Sequence, residues 1–300
     1  MPFKEIAREL QGKAANLAVR MPIAWINILA GPPVVVDGRT LDGRIQWLLQ
    51  LLARSGQPPV EQTTVIEARA NYDTFMLEMG GRPAPIGEMV DRTIDGPAGR
   101  LRVRLYRPAG AVARLLPAIL YFHGGGWVMG SLEGYDPVFR YLCARSGCAV
   151  VALDYRLAPE HKFPSGIEDA IAAYRWLVRE ATALGIDPAR IVVAGDSAGG
   201  NVAAVAARLL RDEERPPCLQ WLIFPSTDLS FDTDSYRSLG KGFLLTRSAM
   251  EWFRGHYLDG RAEIDDPRVS PLKANDFAGL PPALIYTAGF DPLRDEGHAY

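Results

Sequence analysis

Five short apolar runs set the limits on the fold: 117–122, 148–153, 190–194, 219–224 and 283–288. Each has the length of a strand, and helical segments separate several of them. Ile167, Ala170, Ile171, Tyr174, Leu177 and Val178 fall on one helix face. Buried strands alternating with amphipathic helices predict a mainly parallel sheet covered by helices on both faces. Upstream, Leu101, Val103 and Leu105 alternate with Arg100, Arg102 and Arg104, as in a half-buried strand. The expected class is therefore α/β. At 300 residues and 48% hydrophobic content, the chain can bury a core of that kind.

Two of the runs lead into glycine-rich turns. The run 118–122 enters His123-Gly124-Gly125-Gly126-Trp127, and 190–194 enters Gly195-Asp196-Ser197-Ala198-Gly199-Gly200. The second fits G-x-S-x-G, a sharp strand-to-helix turn that exposes a serine hydroxyl. Residues 201–211 have helix-forming composition, so a helix N-terminus points at Ser197 and favours developing negative charge there. The turn is not G-x-G-x-x-G and no P-loop lysine follows, which argues against a nucleotide-binding turn. In the first motif, consecutive glycines let main-chain N–H groups face a substrate oxygen without obstruction. Gly125 and Gly126, joined by Ala198, are the expected oxyanion-hole donors. His123 precedes the serine and begins the loop, so its expected role is bracing. Together the two turns predict a serine hydrolase with Ser197 as nucleophile.

The chain is similar, over roughly residues 40–300, to the bacterial hormone-sensitive lipase family of carboxylesterases. His123–Trp127 and the GDSAG turn at 195–199 are that family's two hallmark motifs. Residues 154–164 (DYRLAPEHKFP) and 291–297 (DPLRDEG) resemble two further family segments, the second of which carries the catalytic acid. The resemblance implies an α/β-hydrolase fold: a mainly parallel central sheet flanked by helices, with a helical cap. The cap would be 1–60 and 226–262, and the core 61–225 and 263–300. It also implies hydrolysis of short- to medium-chain acyl esters without a cofactor. The region 226–275 is rich in aromatic residues, and Met250, Trp252 and Phe253 are candidates for the acyl pocket. Trp127 would flank the alcohol side. Cap packing is the alternative reading for Met250, Trp252 and Phe253.

A hydrolase triad of this type runs Ser, then Asp or Glu, then His. Asp291 follows the run 283–288 and is the expected acid, although Pro292 also suits it to cap a helix. Only His298 follows it, seven positions on, which is about 10 Å along a helix and too far to bridge acid and serine. His256 lies in the expected cap, ahead of the acid, and His161 suits loop support. No histidine among the 300 residues is therefore assigned as the base. The expectation is that it lies past Tyr300, where the family has a further strand and a histidine-bearing loop, and that the C-terminal end of the core is missing from these residues. Two other readings keep the fold: an amidase or formamidase with the same triad, and a ligand-binding relative lacking the base.

The N-terminal part reads differently. Residues 1–85 are expected to be helical and separate from the rest. Leu41, Ile45, Leu48, Leu49 and Leu52 form one stripe, Gly56 and Pro58-Pro59 end that helix, and the stretch 80–87 marks a boundary. A net charge of −2 gives no electrostatic case for nucleic acid. The cysteines Cys143, Cys148 and Cys218 lack C-x-x-C spacing, so neither a disulfide framework nor a metal site is expected. No apolar run is long enough to span a bilayer. Glu5 and Glu9 do not suit a signal peptide, and the cytoplasm is the expected compartment. The expected partner is a small ester substrate, and the resemblance allows a homodimer.

Overall fold

The computed structural model describes residues 21–110 and 115–300. Within them the chain runs α1 (Ile23–Ala30), β1 (Val35–Val36), β2 (Arg39–Thr40), α2 (Gly43–Arg54), α3 (Val65–Gly80), β3 (Glu88–Gly96), β4 (Gly99–Arg107) and β5 (Leu116–Phe122). It continues through α4 (Asp136–Ser146), β6 (Ala149–Asp154), α5 (Ser165–Glu180), β7 (Ile186–Asp196), α6 (Ala198–Leu209), β8 (Leu219–Ile223), α7 (Asp234–Leu239), α8 (Arg247–Tyr257), β9 (Ala283–Tyr286) and α9 (Arg294–Ala299). All five apolar runs form strands.

Seven strands form the central sheet in the order β3-β4-β6-β5-β7-β8-β9. β4 pairs antiparallel with both β3 and β6, and every other pairing is parallel. The parallel strands are apolar because both faces are covered. Leu120, Leu153 and Val193 are fully buried, as are Val202 and Ala203 on α6. Register fixes where the site can be: Phe122 pairs with Gly195, Asp196 with Ile223, and Ile223 with Tyr286. The turns after β5, β7, β8 and β9 therefore emerge together at the C-terminal end of the sheet, where open α/β folds bind ligands. β9 is an edge strand and leaves Leu284 and Tyr286 exposed.

Three expectations are corrected. The first 20 residues of the expected 1–85 region lie outside the described residues, but the rest of it is not separate from the core. On α3, Arg69 donates to the carbonyls of Val128 and Ala158 and pairs with Glu160, and Tyr72 shares a hydrogen bond with Tyr135. On α2 the leucine stripe is only half-buried, at Leu48, Leu49 and Leu52. The helix's one buried residue is Gln46, which donates to the carbonyls of Ala30 and Pro32 and accepts from Val34 N–H. Leu41 precedes the helix and Ile45 is exposed, because the groups facing α2 are unpaired main-chain atoms beyond the end of α1, and these demand a polar side chain. On β4 the alternation breaks at Arg104, which is buried because Asp91 and Glu133 pair with its guanidinium.

Candidate active site

Ser197 lies between the end of β7 and the first turn of α6 with φ +54° and ψ −118°, a conformation that costs a non-glycine residue free energy. Three main-chain hydrogen bonds hold it. Its N–H donates to Ile223 O, and its carbonyl accepts from Asn201 N–H and Ser226 N–H. The glycines around it are required by close approach. A Cβ on Gly199 would stand 2.0 Å from Phe122 O and 2.6 Å from His123 O, and one on Gly195 would stand 2.3 Å from the Gly199 backbone. The serine turn thus abuts the start of the His123–Trp127 loop directly.

That loop is pinned on both sides of one residue. Gly124 N–H donates to Asp196 Oδ1 at 3.0 Å and to Tyr135 Oη at 3.1 Å. Gly124 O accepts from His123 Nδ1 at 2.8 Å. The carbonyl can only accept, so His123 carries its proton on Nδ1. Its ring stacks on Tyr155 at 4.5 Å, Nε2 is buried with no partner among the described residues, and burial holds its pKa below the usual imidazole range. His123 is a neutral brace, as expected.

The next two residues take left-handed φ, +116° at Gly125 and +62° at Gly126, and Trp127 follows at +61°. Gly125 O accepts from the amides of Val128 and Met129. The amides of Gly125, Gly126 and Ala198 donate to no acceptor among the described residues. α8 covers the loop. A Cβ on Gly126 would fall 2.3 Å from the Phe253 ring, and Trp127 stacks on Tyr257 at 4.5 Å and 8°. The structure thus brings Phe253 and Trp127 to the loop. Met250 is buried in the main core cluster, and Trp252 turns its ring toward Phe253 and His256.

Asp291 follows β9 at the same end of the sheet. Its Oδ1 accepts from Leu293 N–H at 3.0 Å, and burial pushes its pKa up to about 6, partly offset by that bond. The bond caps the turn that leads into α9, whose own N-cap is Leu293, and it engages a single oxygen. Among the described residues, no histidine is hydrogen-bonded to Ser197 Oγ or Asp291. His298 Nε2 bonds Thr287 Oγ1 at 2.7 Å, His256 packs on Trp252, and His161 is exposed.

Sequence reasoning missed Asp196. It lies beside the serine, half-buried, and accepts from Tyr121 Oη at 2.9 Å and Tyr135 Oη at 2.8 Å as well as from Gly124. It also missed Glu296, whose buried Oε1 accepts from Thr227 N–H at 2.6 Å. Both carboxylates stand inside the quoted motifs, but their donors come from remote segments, and no local signal shows them. Among the described residues no cluster of side chains could hold a metal ion, and no helix is long and apolar enough to cross a membrane.

Comparison with known proteins agrees with this geometry. The sequence profile of the alpha/beta hydrolase fold matches residues 119–300. The carboxylic ester hydrolase LipN of Mycobacterium tuberculosis is 40% identical over 307 aligned residues, spanning 98% of this chain and 81% of the relative. An ethyl acetate hydrolase of Pseudomonas putida is 40% identical, spanning 81% of this chain and 77% of its own. Among solved structures, an ester hydrolase from the metagenome of Lake Arreo, complexed with a derivative of bipyridine phosphonate, superposes with a TM-score of 0.82. It is 43% identical and covers 85% of this chain and 82% of that one. The hyperthermophilic esterase of the archaeon Pyrobaculum calidifontis gives a TM-score of 0.78 at 42% identity, covering 84% and 80%. With its glycine-rich loop set against a strained serine turn, the chain belongs to the α/β-hydrolase-fold family, in its hormone-sensitive-lipase-like group of carboxylic ester hydrolases.

Proposed function

We propose that this chain hydrolyses short- to medium-chain carboxylic esters through an acyl-enzyme on Ser197. The observation that carries the reading is the abutment of the two turns, with the amides of Gly125, Gly126 and Ala198 lacking an acceptor among the described residues. An ester carbonyl oxygen placed toward those amides leaves its carbon open to Ser197 Oγ. Attack moves negative charge onto that oxygen, and preorganised amides stabilise it more than they stabilise the neutral carbonyl. The alcohol leaves, and water then cleaves the acyl-enzyme. Asp291 serves as the acid that fixes the tautomer of a histidine base and stabilises its cation. None of the four histidines is hydrogen-bonded to Ser197 Oγ or Asp291, and the base is left unassigned.

In this reading residues 1–60 and 226–262 form the cap, the first 20 outside the described residues, and 61–225 with 263–300 the core. Phe253 and Trp127 line the substrate path, with Met250 and Trp252 behind them. The protein acts in the cytoplasm, without cofactor, as a homodimer; fractionation and sedimentation test the first and last of these. Ethyl acetate, named for the Pseudomonas relative, is the first ester to assay. Ser197→Ala is expected to abolish hydrolysis of p-nitrophenyl acetate and butyrate, by about a million-fold in turnover, with the circular dichroism spectrum unchanged. An active-site phosphonate should label Ser197 alone. Retained turnover in the variant overturns the reading.

A further inference from the structure

We propose that Asp196, with Tyr121 and Tyr135, is a clamp that sets the geometry of the oxyanion hole, and that Asp196 is a positioning residue for the reaction. The inference rests on the assignment of Ser197 as nucleophile. Asp196 joins the two motifs physically. Its main chain leads into the serine, and its side chain holds the amide of Gly124, one residue ahead of the first oxyanion donor. The approach is close enough to exclude any side chain: a Cβ on Gly124 would fall 2.3 Å from Asp196 Oδ2.

The hydrogen bonds have one consistent direction. Gly124 N–H and Tyr121 Oη donate to Asp196 Oδ1, and Tyr135 Oη donates to Oδ2. Tyr135 Oη in turn accepts from Gly124 N–H and shares a bond with Tyr72 Oη at 2.8 Å. Every neighbour that Asp196 bonds is a donor. A carboxylate accepts from all three donors at once, whereas an amide would turn its N–H toward a tyrosine hydroxyl and force that hydroxyl to give up its donation. Tyr121 and Tyr135 are themselves fully packed, so neither ring can swing off the carboxylate without disturbing the core.

The consequence for catalysis runs through one peptide. The Gly124–Gly125 peptide carries the Gly125 N–H proposed to meet the oxyanion. Its carbonyl is gripped by His123 Nδ1, and the residue's own N–H is gripped by Asp196 and Tyr135. With both ends of Gly124 fixed, the direction of the Gly125 N–H is fixed as well, despite the flexibility of a triple glycine. Losing an oxyanion donor costs about a hundred- to a thousand-fold in turnover. A misaimed donor costs part of that, and the loss falls on the transition state rather than on substrate binding.

The test is steady-state kinetics of Asp196→Asn and Tyr135→Phe on a p-nitrophenyl ester, normalised to serines titrated by an active-site phosphonate. For Asp196→Asn the expected kcat per titrated serine falls about 10- to 100-fold with KM within about twofold. Tyr135→Phe keeps the ring and should fall about three- to tenfold. The rate of phosphonate labelling should fall in parallel, because the phosphonyl oxygen occupies the same amides. A kcat per titrated serine equal to wild type, or a change confined to KM, overturns the clamp. If Asp196→Asn does not fold, Tyr135→Phe decides alone by the same two outcomes. Ser197→Ala separates the two claims. If it stays active, the nucleophile assignment fails; if it is dead while both clamp variants keep full kcat, only the clamp fails.

Discussion

Two half-buried carboxylates flank the site, and their surroundings are opposite. Asp196 accepts from three donors and holds the glycine loop. Asp291 accepts from one amide, through one oxygen, and has no ion-pair partner among the described residues. Burial pushes both pKa values up; donors counter the effect at Asp196, whereas at Asp291 only the Leu293 amide does so. The difference separates two jobs. A saturated carboxylate is a structural part whose hydrogen bonds are complete. An undersatisfied one is unfavourable on its own and suited to a partner such as an imidazole cation.

Asp291→Asn should sharpen this contrast most. The amide keeps the cap to Leu293 but cannot stabilise an imidazolium. Turnover is expected to fall about 1,000- to 10,000-fold. Stability should not fall with it. Asp291 titrates higher folded than its ordinary value near 3.8, reaching about 6. The folded state therefore binds the extra proton between those values, and stability declines as pH rises through that window. At pH 8 the carboxylate is a net cost that asparagine removes, so Tm should be unchanged or a few degrees higher. A Tm loss with near-normal turnover would reduce Asp291 to a turn cap and break the comparison.

The sheet and the serine turn could be read from the chain because their signals are local. Gly195 and Gly199 are demanded by contacts within five residues of Ser197 and with the neighbouring strand. Other parts depended on distant partners. Gln46 is buried because carbonyls after α1 need donors, and Arg104 because Asp91 and Glu133 meet it. A run of leucines outranks such residues in any hydrophobic pattern. α3 falls in the stretch expected to be helical, and Thr64 and Glu67 form a reciprocal capping box at its start, a signal readable three residues apart. The two extra carboxylates, Asp196 and Glu296, were visible as letters but not as parts. Their meaning lies in Tyr121, Tyr135, Thr227 and Asp228, which only the fold brings near.

Glu296 tests whether burial without saturation costs stability away from the reacting atoms. Its Oε1 takes the Thr227 and Asp228 amides, while Oε2 is buried with no hydrogen-bond partner among the described residues. Burial pushes its pKa up to about 8, so the side chain is largely protonated at neutral pH. The sign is that of Asp291, with a wider window. Wild-type stability should fall as pH rises from about 4.5 to about 8 and level off above. Glu296→Gln keeps the acceptor and cannot ionise, so its Tm should lack that decline and exceed wild type by several degrees at pH 9. Parallel Tm curves for the two proteins would place Glu296 with Asp196, as a carboxylate already satisfied.

The smallest effect is expected where the acid segment meets the N-terminal hairpin. Arg294, nearly buried, donates to Gly289 O and pairs with Asp295 and with Asp37, in the turn between β1 and β2. Ser238 on α7 donates to the same Asp37 oxygen. One side chain from each proposed cap segment thus converges on the loop that carries Asp291. Asp37 is solvent-accessible, and screened pairs of this kind contribute little. Asp37→Ala should therefore leave kcat and the pH profile alone and raise KM about two- to fivefold, since only the seating of the cap changes. A large fall in kcat would show that the hairpin reaches through Arg294 to the acid itself. Asp291 would then be held from outside its own loop, as Asp196 is held by its tyrosines, and the contrast between the two carboxylates would narrow to the identity of their clamps.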